Sequence, residues 1–218
     1  MPIALIIGGI LAVVTAVILA AQYYARKRTE ALQAVAASLG LSFTKMASDS
    51  FLPSLSRFHL FSQGRSRKVS NVISGSANEI DLTVFDYQYT TGAGKNSRTR
   101  GQTVVLLRSD FLRLPHFSLR PENLFHKIGK AFGYKDIDFD SHPAFSKEYL
   151  LRSEDEQACR DVFTKDVLRY YDKHQGLSTE GDGDSLLFYR ASKKVRPAEV
   201  RSFVEDGFDV FRLFQAVA

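Results

Sequence analysis

Residues 3–21 read IALIIGGILAVVTAVILAA, nineteen positions from Ile3 to Ala21 with no charge and with Thr15 as the one polar side chain. At about 1.5 Å per residue such a helix is roughly 28 Å long, close to the hydrocarbon thickness of a bilayer. A helix satisfies its own backbone groups in lipid, and glycines such as Gly8 and Gly9 are tolerated in spanning helices. No G-x-x-x-G face is present, so the run predicts no helix dimer of its own. A cleaved signal peptide fits less well. It wants a basic start and small residues at −3 and −1, and before Gln22 those positions hold Leu19 and Ala21. A buried soluble helix fits least, because no other part of the chain could surround nineteen apolar residues on every face. A transmembrane anchor over residues 1–24 is expected.

The flanks give the anchor a direction. Tyr23 and Tyr24 fall at the level of interfacial aromatics, Arg26, Lys27 and Arg28 follow at once, and the short N-terminal side carries no Lys or Arg. The positive-inside rule then puts the N-terminus outside the plasma membrane and the C-terminal domain in the cytoplasm, as a single-pass protein. The lone Cys159 agrees, since exported domains of this size often carry cysteine pairs.

Past the anchor, 12% aromatic and 24% charged residues describe a folded domain, not a disordered tail. The net charge of +5 conceals an asymmetry: residues 1–135 hold 17 Lys and Arg against 7 Asp and Glu, and residues 136–218 hold 12 against 17. The basic half is the one joined to the membrane, where an anionic leaflet would attract it. Alternatively, the opposite charges help the halves pack. No helix carries a basic stripe with interleaved aromatics, so no nucleic acid is expected.

Strong helix formers over residues 29–39, with Leu32, Val35, Ala36 and Leu39 on one face and Gly40 as cap, predict a helical stalk over 25–40 that continues the anchor. A strand begins at Leu41, and a helical turn is expected around Pro53. Residues 68–74, 79–90 and 102–109 alternate apolar and polar side chains and predict an antiparallel meander. In the middle strand Ile80, Leu82, Val84 and Asp86 share one face and Phe85 and Tyr87 the other, which marks it as central. Residues 114–119 read as extended, and Pro121 is expected to open a helix over 123–132. Residues 135–140 and 145–151 are expected as strands about a His142-Pro143 turn. Ser153 with Glu156 forms a capping box for a helix through Phe163, and Thr164 caps a second reaching His174. Two strands, 177–180 and 185–189, and a helix from Pro197 complete the chain. Gly40-Leu41-Ser42 is echoed by Gly176-Leu177-Ser178, and Arg120-Pro121 by Arg196-Pro197, which allows two similar sub-halves. The expected fold class is α+β: one transmembrane helix, then an antiparallel-sheet domain with packed helices, divided into a basic β-rich half (41–135) and an acidic α+β half (136–218).

Several stretches imitate catalytic motifs. Gly92-Ala93-Gly94-Lys95 lacks the first glycine of a phosphate loop, where Tyr89 stands, and Asn96 replaces the Ser or Thr after the lysine. Asp136, Asp138 and Asp140 would line one face of a strand, with His142 beyond, yet alternate strand residues stand about 7 Å apart, too far for three to share an ion without a bend. Asp182 and Asp184 belong to a turn, the five histidines show no zinc spacing, and Cys159 is expected as a core thiol. No catalytic residue, metal ligand or cofactor is therefore assigned. Arg65, Arg67, Lys68, Lys95, Arg98 and Arg100 are candidates for contact with lipid or an acidic protein partner.

The stretches FDYQYTTGAGKNSRT (85–99), LPHFSLRPENLFHKIG (114–129), DIDFD with HPAFSKEYLLR (136–152) and GDSLLFYR (183–190) resemble a group of uncharacterised bacterial proteins. These have one N-terminal membrane helix and a cytoplasmic α+β domain. The resemblance implies that architecture and a bacterial plasma membrane, and it implies no activity. The functional expectation is a membrane-anchored, non-catalytic binding or scaffolding module. The alternatives are a domain that lies peripherally on anionic lipid, and a membrane-tethered metal-dependent enzyme built on Asp136, Asp138, Asp140 and His142.

Overall fold

Helix α1 runs without a break over Pro2–Ser38 in the computed structural model, which describes residues 2–122 and 136–216. From Ile6 onward α1 is long and apolar enough to cross a membrane, and its most apolar window has no buried share. Its second part behaves differently. Leu32 and Ala36 are buried and Val35 partly so, because their three- and four-residue spacing places them on one face. The helix stops at Gly40, whose φ of +68° is the left-handed turn glycine enters without a Cβ clash. There Leu41 N–H donates to Ala36 O at 2.9 Å and Gly40 N–H to Ala37 O at 3.2 Å, closing the orphan carbonyls of the last turn.

The chain then turns back along α1 as β1 (Ser42–Met46), and β2 (Arg65–Ala77), β3 (Ile80–Thr91) and β4 (Arg98–Arg108) continue an antiparallel meander. With β5 (Leu114–Pro121), β6 (Tyr149–Ser153), β7 (Ser178–Gly183) and β8 (Ser185–Tyr189) the described strands form one eight-stranded sheet in the order β1-β2-β3-β4-β8-β7-β5-β6, every pair antiparallel. The basic and acidic spans of the sequence interleave in this sheet: β4 pairs with β8, and β5, from the basic span, lies between β7 and β6.

Helices cover both faces, which is why β3 carries apolar groups on both sides. On one face the second part of α1 packs with α4 (Pro143–Glu148), α5 (Glu156–Val162), α6 (Lys165–Lys173) and α7 (Val200–Gln215) over Leu82, Val84, Val105, Phe117 and Phe188. On the other, the short α2 (Phe51–Ser54) and α3 (His59–Ser62) lie over Phe85, Tyr87, Leu106 and Tyr189.

The structure departs from expectation at four places. Pro121, expected at the first position of a helix, is the last residue of β5, opposite Tyr149; a strand end needs no proline N–H. The helix expected over 123–132 lies outside the described residues. Residues 136–139 form no strand. They run beside β6 as a coil held by Ile137 N–H to Leu151 O at 2.9 Å. Residues 143–148 are helical, with Pro143 preset at the first turn, and the strand begins only at Tyr149. Finally, α5 is capped by Asp155, whose carboxylate accepts from Ala158 N–H at 2.9 Å. Ser153 instead donates to His116 O at 2.7 Å.

Candidate functional site

The helical face that buries Leu32 and Ala36 extends one turn toward the apolar run, where it presents Arg28 and Thr29. Arg28 reaches into the sheet. Its Nε and Nη2 donate to the two carboxylate oxygens of Asp86 at 2.7 Å each, Nη1 donates to Val195 O at 2.7 Å, and Nη2 also meets Thr103 Oγ1 at 3.1 Å. Asp86 is 2% exposed in the middle of β3. Thr103, its register partner on β4, donates to it at 3.0 Å, and Asn71 Nδ2 does so from β2 at 3.0 Å. Asn71 can do this because it occupies a β-bulge with φ +53°, which re-aims its side chain. Thr29 Oγ1 in turn donates to Asn71 Oδ1 at 2.8 Å. Burial alone would raise the Asp86 pKa; the Arg28 hydrogen bonds and charge, with Asn71 and Lys194, outweigh that and hold it below the usual carboxylate value. The carboxylate thus stays ionised as a lock between α1 and three strands.

Beside this lock opens a groove of about 390 Å³, within the roughly 300–1,000 Å³ typical of small-molecule sites. It is walled by α1 residues 22–29 on one side and by Lys45, Met46, Lys68, Gln88 and Lys194 on the other. Five of its twelve lining residues are Arg or Lys and none is Asp or Glu, so it is built for an anion. Arg26 pairs with the exposed Glu30 at 2.9 Å and Lys194 lies 3.9 Å from Asp86. Lys45 and Lys68 are exposed and make no ion pair among the described residues.

The strand registers gather the sequence candidates at this same end of the sheet. Arg65 is opposite Thr90, Lys68 opposite Gln88, and Thr91 opposite Arg98. Their duties divide. Arg65 bonds Gly92 O and Ser97 Oγ, tying β2 to the hairpin tip. Arg67 holds the carbonyls of Ser62, Gln63 and Gly64, and Arg100 reaches Ser192 Oγ at 3.3 Å. Lys68 alone of the six lines the groove, while Lys95 and Arg98 stand exposed at the tip. Lys45 and Lys194 are not legible in the sequence as groove residues, because the pairing of β1 with β2 brings the first beside α1 and the loop before α7 the second.

The acidic row does not converge. Asp136 Oδ1 accepts from Leu151 N–H at 2.9 Å, and partial burial there raises its pKa to about 6. Asp138 offers its carbonyl to Arg160 at 2.8 Å, and His142 Nδ1 meets the neighbouring Ser141 hydroxyl at 3.0 Å. Among the described residues no group of three or more His, Cys, Asp or Glu side chains could hold a metal ion. Cys159 is buried, and burial pushes its thiol up to about 12, far from a reactive thiolate. Asp182 is paired with Arg57 at 2.8 Å and faces His116 at 3.6 Å.

A second buried acid occupies the opposite face. Glu180 on β7 accepts from Tyr189 OH at 2.7 Å and from Leu60 N–H at 3.2 Å, and burial raises its pKa. Nearby, Arg120 Nη1 donates to His59 Nε2 at 2.6 Å. Burial, then the charges of Arg120, Arg152 and His116, lowers the His59 pKa to about 3, so the ring is neutral and accepts that bond. The adjoining space is about 20 Å³, room for about one water. This cluster fastens α3 to the sheet and offers no substrate chamber.

No family model matches the chain, and no curated protein matches it. Among solved structures it is similar to the crystal structure of the mycobacterial trehalose monomycolate transport factor A, TtfA, at 13% identity over 88% of this chain and 94% of that one, with a TM-score of 0.62. At such identity the likeness is one of fold.

Proposed function

We propose that this chain is a single-pass, plasma-membrane protein of bacterial type whose cytoplasmic α+β domain is a non-catalytic binding or scaffolding module. The observation that carries the reading is the unbroken α1: an exposed apolar run long enough to span, continuous with a segment bolted to the sheet through Arg28 and Asp86. The Tyr23, Tyr24, Arg26, Lys27 and Arg28 flank supports a cytoplasmic domain. The dispersed acidic row weighs against the one alternative built on it, a metal-dependent enzyme using Asp136, Asp138 or Asp140 with His142. The protein of similar fold is a transport factor, and an accessory role in membrane transport suits a domain held rigidly at the bilayer surface.

Two measurements on the full chain in its membrane test this. Intact mass should show residues 1–21 retained, and a cysteine placed at residue 2 should be labelled by an impermeant thiol reagent from outside while the hairpin tip is not. A mature chain beginning at Gln22, or labelling at the tip, overturns the reading. For binding, photo-crosslinking from the hairpin tip should give a discrete adduct; a chain that never crosslinks from any exposed position argues against a binding module.

A further inference from the structure

We propose that the groove at the foot of α1 holds the phosphate-bearing headgroup of an anionic phospholipid from the membrane that α1 spans. The proposal rests on the anchor reading above and adds to it a ligand and a site.

Position argues for lipid. The apolar run ends at Ala21 and the groove wall begins at Gln22. From Gln22 to Arg26 the helix rises about 6 Å, the depth of one headgroup layer, since a bilayer of about 40–45 Å encloses a hydrocarbon core of about 30 Å. Tyr23 and Tyr24 are exposed at the same level, as interfacial aromatics are. The mouth of the groove therefore opens into the layer where lipid phosphates lie.

Chemistry argues for an anion. Arg26, Lys45, Lys68 and Lys194 converge on a space that no carboxylate lines among the described residues, and Lys45 and Lys68, which make no ion pair among them, can close on a phosphodiester. Ser70 and Gln88 offer neutral hydrogen bonds at the strand wall. Met46, 45% exposed, puts an apolar surface beside the cations, as the boundary between a headgroup and its glycerol requires. Arg28 is occupied by Asp86, so the buried lock sets the shape of the site while the exposed lysines provide its affinity. An acidic protein segment would have to enter the headgroup layer to reach the same cations.

The test uses the purified full chain in neutral detergent, with lipid adducts followed by native mass spectrometry. Phosphatidylglycerol should be retained over phosphatidylcholine by about tenfold, and the K45Q/K68Q double variant should lose about tenfold in phosphatidylglycerol binding. The charge-keeping K45R/K68R variant should restore it, and K95Q/R98Q at the hairpin tip should leave it unchanged. Circular dichroism melts of each variant check that folding is kept. Equal retention of the two lipids, or full binding by K45Q/K68Q, overturns the proposal. So does displacement of the lipid by equimolar inorganic phosphate, which would make the site one for a soluble phosphate ligand, or capture of a polyglutamate peptide in place of lipid. Alkaline extraction of membranes separates the two readings: a chain released to the supernatant sinks the anchor and the headgroup site together, whereas a chain that stays in the pellet without lipid selectivity sinks the headgroup site alone.

Discussion

Removing the Asp86 carboxylate leaves the Arg28 guanidinium, 18% exposed, without its counter-charge. Asp86→Ala should therefore destabilise the full chain by about 3 kcal/mol, a melting-temperature drop of roughly 10 °C. With no Trp present, circular dichroism is the natural readout. Replacing both partners, Arg28→Met with Asp86→Leu, should recover much of that loss, because it removes the buried charges together. The pH dependence follows from the lowered Asp86 pKa: the stability it confers is complete above the unfolded value of about 3.9 and is lost as pH falls through the folded value. Below about pH 4 the wild type should thus lose stability that Asp86→Ala no longer has to lose; equal acid sensitivity in both would refute the lock. Half of this feature is legible in the sequence. Asp86 falls in register with Ile80, Leu82 and Val84, an acid on an apolar face, and that demands a partner. Which partner is not legible, because Arg28 lies 58 positions away and its reach depends on α1 docking against the sheet.

Among the elements, β7 and β5 show how closely the sheet is fitted. Gly181 faces Phe117, and a Cβ at Gly181 would clash with the phenyl ring. That ring is fully buried against Phe163 and Phe214, at centroid distances of 5.0 and 5.4 Å, and cannot retreat. Gly181→Ala should cost about 1–3 kcal/mol in chemical denaturation, and Phe117→Leu in the same chain should return part of it by clearing the clash. The meander β2 to β4 was readable because period-two alternation persists over long strands. Expectation and structure part between 121 and 156, where several weak local signals compete. Pro121 is compatible with a helix start or a strand end, and the apolar run Tyr149-Leu150-Leu151 drew the strand back over residues that Pro143 commits to a helix. Ser153 and Asp155 can both cap; the helix took the carboxylate, and Ser153 went to His116. The groove is half visible in the sequence: Arg26 and Arg28 flank the apolar run, but Lys45, Lys68 and Lys194 join them only through the order β1-β2-β3 and the loop before α7.

At the scale of the molecule, the two parts of α1 predict two different truncations. The described side chains of residues 6–21 are all exposed, so a chain lacking residues 2–21 should be soluble without detergent and melt cooperatively. Deleting residues 2–39 also removes Leu32, Ala36 and Arg28, uncovers part of the core and leaves Asp86 without its bidentate partner; that product should aggregate or melt at least about 10 °C lower. Comparable behaviour of the two would show that α1 is a detachable tether. The docked helix has a mechanical sense as well. Because α1 runs unbroken from its exposed run to the Arg28–Asp86 lock, the direction of the apolar run fixes the direction from which the sheet is held. Turning the apolar run about its axis swings the whole sheet, and each residue added to the helix above the lock advances that bearing by about 100°. The domain is steered from its handle, and its heading is set by a residue count.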